Sequence, residues 1–303
     1  MKNSAGSSRG RRSFIAVTAI ACLVFVAYAG CFLYFFVDDE AIPLVYARNL
    51  LRGRGLIYTV LEGRSEGYSD FLHVLWSTLL LQVTRTLDLS RLAPLLIGKA
   101  VSLAAGVGVI AVTARILRRE GVALPGLVAG LAFLALAGPL AVWSCSSLET
   151  VPFALAVVAF LGVLLAGRTW LAVTLGITCV LLRIDGVVYV FTVMLAVAVA
   201  EPRRRRDSRA VALFVALAAL AFHTWRYVYF GSLLSAPLSA KVLYHVAGPR
   251  NAMLKAPDVS YLVAFVRLYG LWAAGVLAVA AAIVARRSPA ARTATVALVI
   301  LGL

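Results

Sequence analysis

Long apolar runs, separated by short charged segments, dominate the pattern of this 303-residue sequence. An α-helix needs about 20 residues to cross the hydrocarbon core of a bilayer, and runs of about that length recur along the chain. The predicted membrane-spanning helices are 14–36, 92–117, 122–143, 151–167, 169–182, 184–200, 210–230, 262–285 and an unfinished run 293–303. The pattern therefore predicts an all-α fold, a polytopic transmembrane helical bundle.

The composition agrees with a membrane protein. Hydrophobic residues make up 62% of the chain and charged residues 14%, with a mean hydropathy of +0.95, whereas soluble domains average about 25% charged residues. The net charge is +16, but the arginines concentrate in short clusters between apolar runs. Such clusters mark the cytoplasmic side, so topology explains the charge and no nucleic-acid partner is expected. The four cysteines form no C-x-x-C motif and the three histidines lie far apart, so we expect neither a disulfide framework nor a zinc site.

The N-terminal residues 1–13 form a basic tail that we predict to be cytoplasmic. The stretch "GRRSFIA" (10–16) resembles a twin-arginine export signal, and residues 27–29 could serve as a cleavage site. The apolar run continues to residue 36, however, which is longer than the apolar part of a signal peptide. We therefore expect an uncleaved first span in the cytoplasmic (inner) membrane, with the basic tail held inside.

The apolar run 71–83 decides how the later spans thread through the membrane. If it spanned the bilayer, each of the later basic clusters, 115–121, 203–209 and 285–292, would lie on the wrong side. The run is also shorter than a normal span, so we expect it to lie in the interface or to re-enter. Residues 38 to about 91 then form one large extracytoplasmic loop with surface helices. The only acids inside are Glu120, Glu201 and Asp207, which suggests that polar chemistry is concentrated on the outer face.

The stretch "FFVDDEAIPL" places two adjacent acids, Asp38 and Asp39, directly after the first span. Asp39 could cap the next helix, because Asp is a favoured N-cap and Pro43 falls in the first turn. A cap explains only one of the two carboxylates. Neighbouring carboxylates repel, which raises the pKa of one of them and suits a general base. Asp38 and Asp39 are therefore the candidate catalytic residues.

A helix predicted from about residue 40 to residue 52 carries the next candidate, Arg48. Leu44, Ala47 and Leu51 form an apolar stripe beside it, as expected of a helix that lies in the membrane interface. Arg48 could bind a phosphate. Contact with lipid headgroups is the better explanation for Arg52 and Arg54.

Further candidate substrate-binding residues stand in three later stretches. In "EGRSEGYSDFLHVLW" (62–76), Glu66 and Tyr68 could bind a sugar hydroxyl, although solvated loop residues would look the same. In "SCSSLETVP" (144–152), Glu149 suits a helix start, and a cap by Ser147 or Thr150 is the simpler interpretation of this stretch. In "RID", Arg183 and Asp185 could simply pair, but ionisable residues within a membrane region are functional candidates.

Two cations follow the aromatic end of the span 210–230. Arg226 and Lys241 lie in "FHTWRYVYFGSLLSAPLSAKV" (222–242), an aromatic belt that continues into a polar segment. Either cation could hold a lipid-linked phosphate, which Arg can bind through two hydrogen bonds. Anchoring to lipid headgroups is the alternative.

In chain order, these stretches resemble the GT-C class of membrane glycosyltransferases. The motifs that carry the resemblance are "VDDEAIPLVYARNLLRGRGLIY", "EGYSDFLHVLW", "SSLET", "RIDG" and "YFGSLLSAPLSAK". The sequence is most similar to the bacterial branch that includes mycobacterial arabinofuranosyltransferases, and more distantly to the protein mannosyltransferase and lipid A aminoarabinose transferase families. The resemblance covers residues 14 to about 242.

The resemblance implies sugar transfer from a polyprenyl-phosphate donor to a glycan, lipid or protein acceptor of the cell envelope. It makes Asp38 the base and Asp39 its partner, and it assigns the outer cations to the leaving phosphate. Some members of the class use a divalent metal at the acidic pair and others do not. Residues 235–241 lack the Asn expected beside the proline, and residue 303 falls inside an apolar run, so an incomplete version of the fold over 14–303 is expected.

A transporter or flippase for a lipid-linked sugar is the alternative function, and a truncated non-catalytic remnant is a third. Transporters usually contain an internal repeat and bind their substrate near mid-membrane. In this sequence no repeat is apparent, and the ionisable residues concentrate on one predicted face. This distribution favours the enzyme.

Overall fold

The computed structural model describes residues 4–61, 63–200, 205–232 and 235–237. Within these residues the secondary structure is helical, without strands. The α-helices are α1 Ser4–Ala29, α2 Ala41–Leu51, α3 Phe71–Thr86, α4 Ala93–Arg119, α5 Leu124–Ala135, α6 Gly138–Ser144, α7 Thr150–Leu165, α8 Thr169–Leu182, α9 Gly186–Ala200 and α10 Arg205–Phe230. The predicted spans 262–285 and 293–303, and the candidate Lys241, lie outside the described residues.

Three of the helices are long and apolar enough to cross a membrane. They are Gly10–Phe32, which includes most of α1, Ala93–Arg119 (α4) and Ser208–Phe230 within α10. All three coincide with predicted spans, which confirms a helical protein with several membrane-spanning candidates. Helices α7, α8 and α9 also form where spans were predicted, but they have only 16, 14 and 15 residues. At about 1.5 Å per residue they are shorter than the roughly 30 Å of a hydrocarbon core.

The predicted single span 122–143 is wrong in one respect, because it is broken into α5 and α6. The two helices meet at an angle of 50°, and the break falls just before Gly138 and Pro139. Proline has no N–H to donate and its ring disfavours helical geometry in the preceding residue. If α5 and α6 count as one bent span, the candidate spans number four among the described residues.

Small residues let the first group of helices pack closely. Helices α1, α4, α5 and α6 share a core that contains Phe25, Ile110 and Leu131, each fully buried. A Cβ atom added at Gly106 of α4 would lie 2.5 Å from Ser144 Oγ and 2.6 Å from Phe25 Cζ. Glycine is therefore required at this helix contact, as is common where membrane helices approach each other closely.

Helices α7 to α10 form a second core, which contains Phe160, Val190 and Val215. Helices α8 and α9 are joined by the short turn at residues 183–185. The loop region before α4 has a third, smaller core around Tyr46, Tyr68 and Val74. This third core holds α2 against α3.

The two ends of the helical bundle differ in their chemistry. At one end, α1 finishes beside α6, where Cys145 Sγ donates to the Ala29 carbonyl at 3.1 Å, and α7 and α9 begin. At the opposite end the Arg118 guanidinium lies 4.5 Å from the centre of the Phe14 ring. The first end, which we call the acidic end, carries Asp38, Asp39, Glu40, Glu66, Asp70, Glu149 and Asp185. The predicted assignment of this end to the extracytoplasmic side stays a prediction.

Helix α3 forms where a short interfacial or re-entrant segment was predicted, and it is not among the candidate spans. Helix α2 packs on α3, and Tyr46 and Ala47 of α2 are both fully buried. The apolar stripe of α2 that was expected to face lipid is therefore turned toward protein at Ala47, and Leu44 lines a small cavity. The physical reason is that α3 supplies an apolar partner surface within the same loop.

Candidate functional site at the acidic end

The acid pair stands in a short turn between α1 and α2. Val37 is extended, with φ −123° and ψ 136°, and Asp38–Glu40 form a single turn of 3-10 helix before α2 begins. Asp38 and Asp39 are exposed, and the Asp39 N–H donates to Asp38 Oδ1 at 3.1 Å. The two neighbouring carboxylates are therefore exposed to solvent on the short turn between α1 and α2.

Glu40 fixes this turn from inside the protein. Its side chain is 2% exposed, and its carboxylate accepts hydrogen bonds from the Val37 N–H at 3.1 Å, the Ser147 N–H at 3.0 Å and the Ser147 hydroxyl at 2.8 Å. Three donors replace the water that a buried carboxylate loses. The predicted capping of α2 by Asp39 is wrong, because Glu40 occupies the N-cap position of α2 and no side-chain cap bond forms there. Only the Glu40 half of a capping box forms, because the Val37 side chain has no hydrogen-bond acceptor, so the S/T-x-x-E pattern that would mark it in a sequence is absent.

A water-sized cavity lies beside Glu40. It has a volume of about 10 Å³ and is lined by Glu40, Leu44, His73, Trp76, Ser77, Leu80, Pro94, Gly98 and Ser147, and roughly this volume holds one water molecule. Burial lowers the pKa of His73 to about 4, although a hydrogen bond with the Ser147 backbone acts in the opposite direction. A Cβ atom at Gly98 would lie 2.7 Å from Ser147 Cβ. Glycine in α4 therefore allows Ser147 to reach Glu40.

The segment that carries Ser147 also contacts Arg183. Two residues later, Glu149 Oε1 accepts from Arg183 Nη1 at 3.0 Å, and Arg183 binds Asp185 through Nε at 2.9 Å and Nη2 at 3.1 Å. The predicted pairing of Arg183 with Asp185 is confirmed, and Glu149 joins it. The predicted caps of α7 by Ser147 or Thr150 are wrong, because Glu149 occupies the N-cap position without a side-chain cap bond and the Ser147 hydroxyl goes to Glu40.

Asp70 is a buried acid that sequence reasoning missed. It is 5% exposed. Burial and the nearby Glu149 carboxylate raise the pKa of Asp70 well above its ordinary value, while Arg183 opposes that rise. Burial also raises the pKa of Glu149, again opposed by Arg183. The turn of α8 and α9 is fixed to this region, because the Ile184 N–H donates to the Ser69 carbonyl at 2.9 Å.

Glu66 and Arg226, two separate candidates in the sequence, bind each other. Arg226 Nε donates to Glu66 Oε1 at 2.7 Å and Nη2 donates to Oε2, and the side chains are only 2% and 5% exposed. Arg226 Nη1 also contacts His223 Nδ1 at 2.8 Å. The Ala236 N–H reaches the Glu66 carbonyl at 2.8 Å, which connects the segment after α10 to the same loop. In this arrangement Arg226 and Glu66 position the loop. A direct contact of either with a phosphate or sugar stays a prediction.

The remaining sequence candidates lie at different depths. Tyr68 is 3% exposed, packs edge-on against Tyr46 at 4.8 Å, and its hydroxyl has no hydrogen-bond partner within the described chain. Arg48 is exposed on α2. Lys99, which the sequence did not single out, is half-buried in the first two turns of α4, and its ammonium donates to the Phe35 carbonyl, three residues before Asp38. This contact connects Lys99 to the segment that leads into the acid pair.

The acidic end offers few protein ligands for a metal ion among the described residues. No group of three or more His, Cys, Asp and Glu side chains with suitable geometry occurs among the described residues. At the turn itself the third acid, Glu40, is occupied by Val37 and Ser147, so only the adjacent Asp38 and Asp39 remain as ligands.

Comparison of the chain with protein-family models, with curated proteins and with solved structures found no match in any of the three. The resemblance to GT-C glycosyltransferases therefore stays a prediction. The structure does bring most of its motifs into contact at one end of the bundle. The contacts that join them are Glu40 with Ser147, Glu149 with Arg183, Ser69 with Ile184, and Glu66 with Arg226 and Ala236.

Proposed function

We propose that this chain is a membrane glycosyltransferase of the GT-C type. It transfers a sugar from a polyprenyl-phosphate donor to a glycan, lipid or protein acceptor of the cell envelope, on the extracytoplasmic face. The observation that carries the proposal is the exposed Asp38–Asp39 pair. The buried Glu40 beside this pair binds Ser147, so two motifs more than 100 positions apart in the sequence meet at this point. Preorganised side chains on a rigid support are what a catalytic site requires.

In the proposed reaction, Asp38 acts as the general base. The acceptor hydroxyl gives its proton to the Asp38 carboxylate while its oxygen attacks the anomeric carbon of the donor sugar. The bond from that carbon to the phosphate oxygen breaks, and the polyprenyl phosphate leaves with the electron pair. This single displacement inverts the anomeric centre.

Asp39 and the nearby cations support the same step. Asp39 lies directly beside the base, and its N–H donates to Asp38 Oδ1 at 3.1 Å, which helps to hold the Asp38 carboxylate in place. The leaving phosphate gains negative charge, which a positioned cation stabilises. Lys99, which donates to the Phe35 carbonyl, and the exposed Arg48 of α2 have no carboxylate partner within the described residues, whereas Arg183 and Arg226 are occupied by acids.

The experiment that tests this function is a direct transfer assay. The full chain, purified in lipid, is incubated with a panel of radiolabelled polyprenyl-phosphate sugars and with envelope extract as the source of acceptors. Time-dependent transfer of label from one donor to the extract supports the proposal. Donor binding without transfer would overturn it in favour of a lipid-linked sugar transporter or a non-catalytic binding protein, and a flux assay in sealed vesicles then distinguishes these two.

A further inference from the structure

We propose that the loop between α2 and α3 carries a binding surface for anionic phospholipid headgroups, separate from the donor site. This surface, called the basic loop below, consists of Arg52, Arg54, Tyr58, Val60, Leu61 and Arg64. It is a property of the fold and does not depend on the proposed glycosyl transfer.

The basic loop lies against the end of a candidate membrane-spanning helix. The Leu56 N–H donates to the Tyr229 hydroxyl at 3.0 Å, and the Arg64 guanidinium lies 4.8 Å from the centre of the Tyr229 ring. Tyr229 is in the last turn of the candidate span Ser208–Phe230. The loop is therefore tied to the helix end that would emerge from the bilayer.

The outer side of that helix end has the chemistry of a membrane interface. Trp225 is 37% exposed, Tyr227 51% and Val228 76%. Aromatic side chains concentrate at the headgroup level of membranes, where their rings contact the hydrocarbon and their polar atoms contact water. This belt places the attached basic loop at headgroup level.

The loop itself combines exposed apolar side chains with unpaired arginines. Leu61 is 98% exposed and Val60 67%. Arg52 and Arg54 are exposed, and no carboxylate of the described chain pairs with either. Apolar side chains that enter the interface, with cations that meet phosphate groups, are the combination by which peripheral segments bind anionic bilayers.

The loop geometry fixes this surface in place. Gly53 and Gly55 have φ of +71° and +79°, a region that residues with a Cβ rarely adopt. A Cβ atom at Gly55 would lie 2.7 Å from the Tyr229 hydroxyl oxygen. Two glycines thus allow the chain to turn sharply at the end of α2 and to lie directly against α10.

Phospholipid, and not the lipid-linked donor, is the occupant that the arrangement favours. The exposed arginines and the nearly fully exposed Leu61 face solvent, as suits contact with a flat bilayer surface. A single bound donor would need these side chains to converge on a cleft. The water-sized cavity described above is instead lined by other residues, around Glu40 and His73.

The test is a lipid-binding titration of the full chain in neutral detergent, with short-chain phosphatidylglycerol, short-chain phosphatidylcholine and a polyprenyl phosphate as probes. We compare wild type with Arg52→Gln/Arg54→Gln, and with Arg85→Gln/Arg91→Gln, which removes two exposed arginines elsewhere in the region 38–91. Each arginine near a lipid surface contributes about fivefold to anionic binding. We therefore expect wild type to prefer phosphatidylglycerol, and the first variant, which lacks two arginines, to lose about 25-fold of that preference while the second retains it.

Three results would overturn the inference. Equal binding of the two phospholipids by wild type would remove the anionic preference, and equal losses in the two double variants would remove the location. A larger loss for polyprenyl phosphate than for phosphatidylglycerol would assign these arginines to the donor. The proposed transferase is judged separately by the transfer assay, so either proposal can fail without the other.

Discussion

Glu40 and Ser147 are 107 positions apart in the sequence and are joined by two hydrogen bonds, from the Ser147 N–H at 3.0 Å and from its hydroxyl at 2.8 Å. The bonds connect the turn that carries Asp38 and Asp39 to the segment between α6 and α7. A buried carboxylate with several donors is costly to disturb, because any donor left without a partner has already lost its water. The position of the acid pair therefore depends on this contact.

We predict that Glu40 and Ser147 are energetically coupled. Ser147→Ala should lower the free energy of unfolding by about 1.5–3 kcal/mol, the range for a hydrogen bond to a charged group. Glu40→Gln should cost at least as much, since an amide cannot accept from all three donors. In a double-mutant cycle the two effects should fall short of additivity, measured by thermal unfolding in detergent.

Ser146→Ala is the matched control for that cycle. Ser146 is also buried, but its hydroxyl donates to the Trp143 carbonyl at 2.8 Å and does not reach Glu40. We expect the effects of Ser146→Ala and Glu40→Gln to add. Equal coupling of Glu40 to both serines would show that the measured energy is not that of the Glu40–Ser147 contact.

The Arg226–Glu66 pair should be a strong determinant of stability. Arg226→Met leaves a buried Glu66 carboxylate without its partner, and breaking one side of a buried ion pair costs about 3–5 kcal/mol. The double variant Arg226→Met/Glu66→Gln removes both charges, so we expect it to recover part of the loss. Unfolding temperatures of the three proteins test this, and a double variant less stable than Arg226→Met would contradict it.

Close packing of α1, α4 and α6 predicts a large effect of one methyl group. Gly106→Ala places a Cβ 2.5 Å from Ser144 Oγ and 2.6 Å from the Phe25 ring, and overpacking of this kind costs about 1–3 kcal/mol. Gly30→Ala is the control, because nothing lies within 4 Å of the added atom there. Unfolding at similar temperatures for the two variants would show that α4 does not approach α6 as closely as described.

His73 should make the protein sensitive to acid. Burial lowers its pKa to about 4 from an ordinary value of 6.5, so the folded state resists protonation that the unfolded state accepts. Its contribution to stability is fully present above pH 6.5 and is lost as the pH falls toward 4. The loss amounts to on the order of 3 kcal/mol.

The variant His73→Gln isolates this effect, because glutamine does not titrate. The difference in unfolding temperature, variant minus wild type, should shift in favour of the variant as the pH falls from 6.5 to 4. Other titrating groups are common to both proteins and cancel in the difference. A difference that stays constant over this range would mean that His73 is accessible to protons in the folded state.

The helices could be predicted from the sequence because their apolar runs are bounded by charges. The bounds of the helix 169–182 agree with the prediction, since Arg168 and Arg183 flank it, although the helix is shorter than a normal span. The break between α5 and α6 was indicated by Gly138 and Pro139, but the continuous apolar composition of 122–143 concealed it. Local rules of this kind depend only on neighbouring residues.

The contacts at the acidic end could be predicted only in part. Residue types marked Asp38, Glu66, Arg183 and Arg226 as unusual, and the Arg183–Asp185 pair is local enough to expect. The pairing of Glu66 with Arg226 spans 160 positions, and it depends on how α10 packs against the loop. The burial of Glu40 and Asp70 has the same origin, because exposure is decided by tertiary packing and not by the residue type.

The most direct test of the central proposal compares the transfer rates of Asp38→Asn and Asp88→Asn. Both replace an exposed acid with an amide in the region 38–91, but only Asp38 belongs to the anchored pair. Loss of a general base lowers the rate by about 10² to 10⁴-fold. We predict a loss of that size for Asp38→Asn, with donor binding retained, and a rate close to wild type for Asp88→Asn. Equal rates for Asp38→Asn and wild type would contradict the assignment of Asp38 as the base.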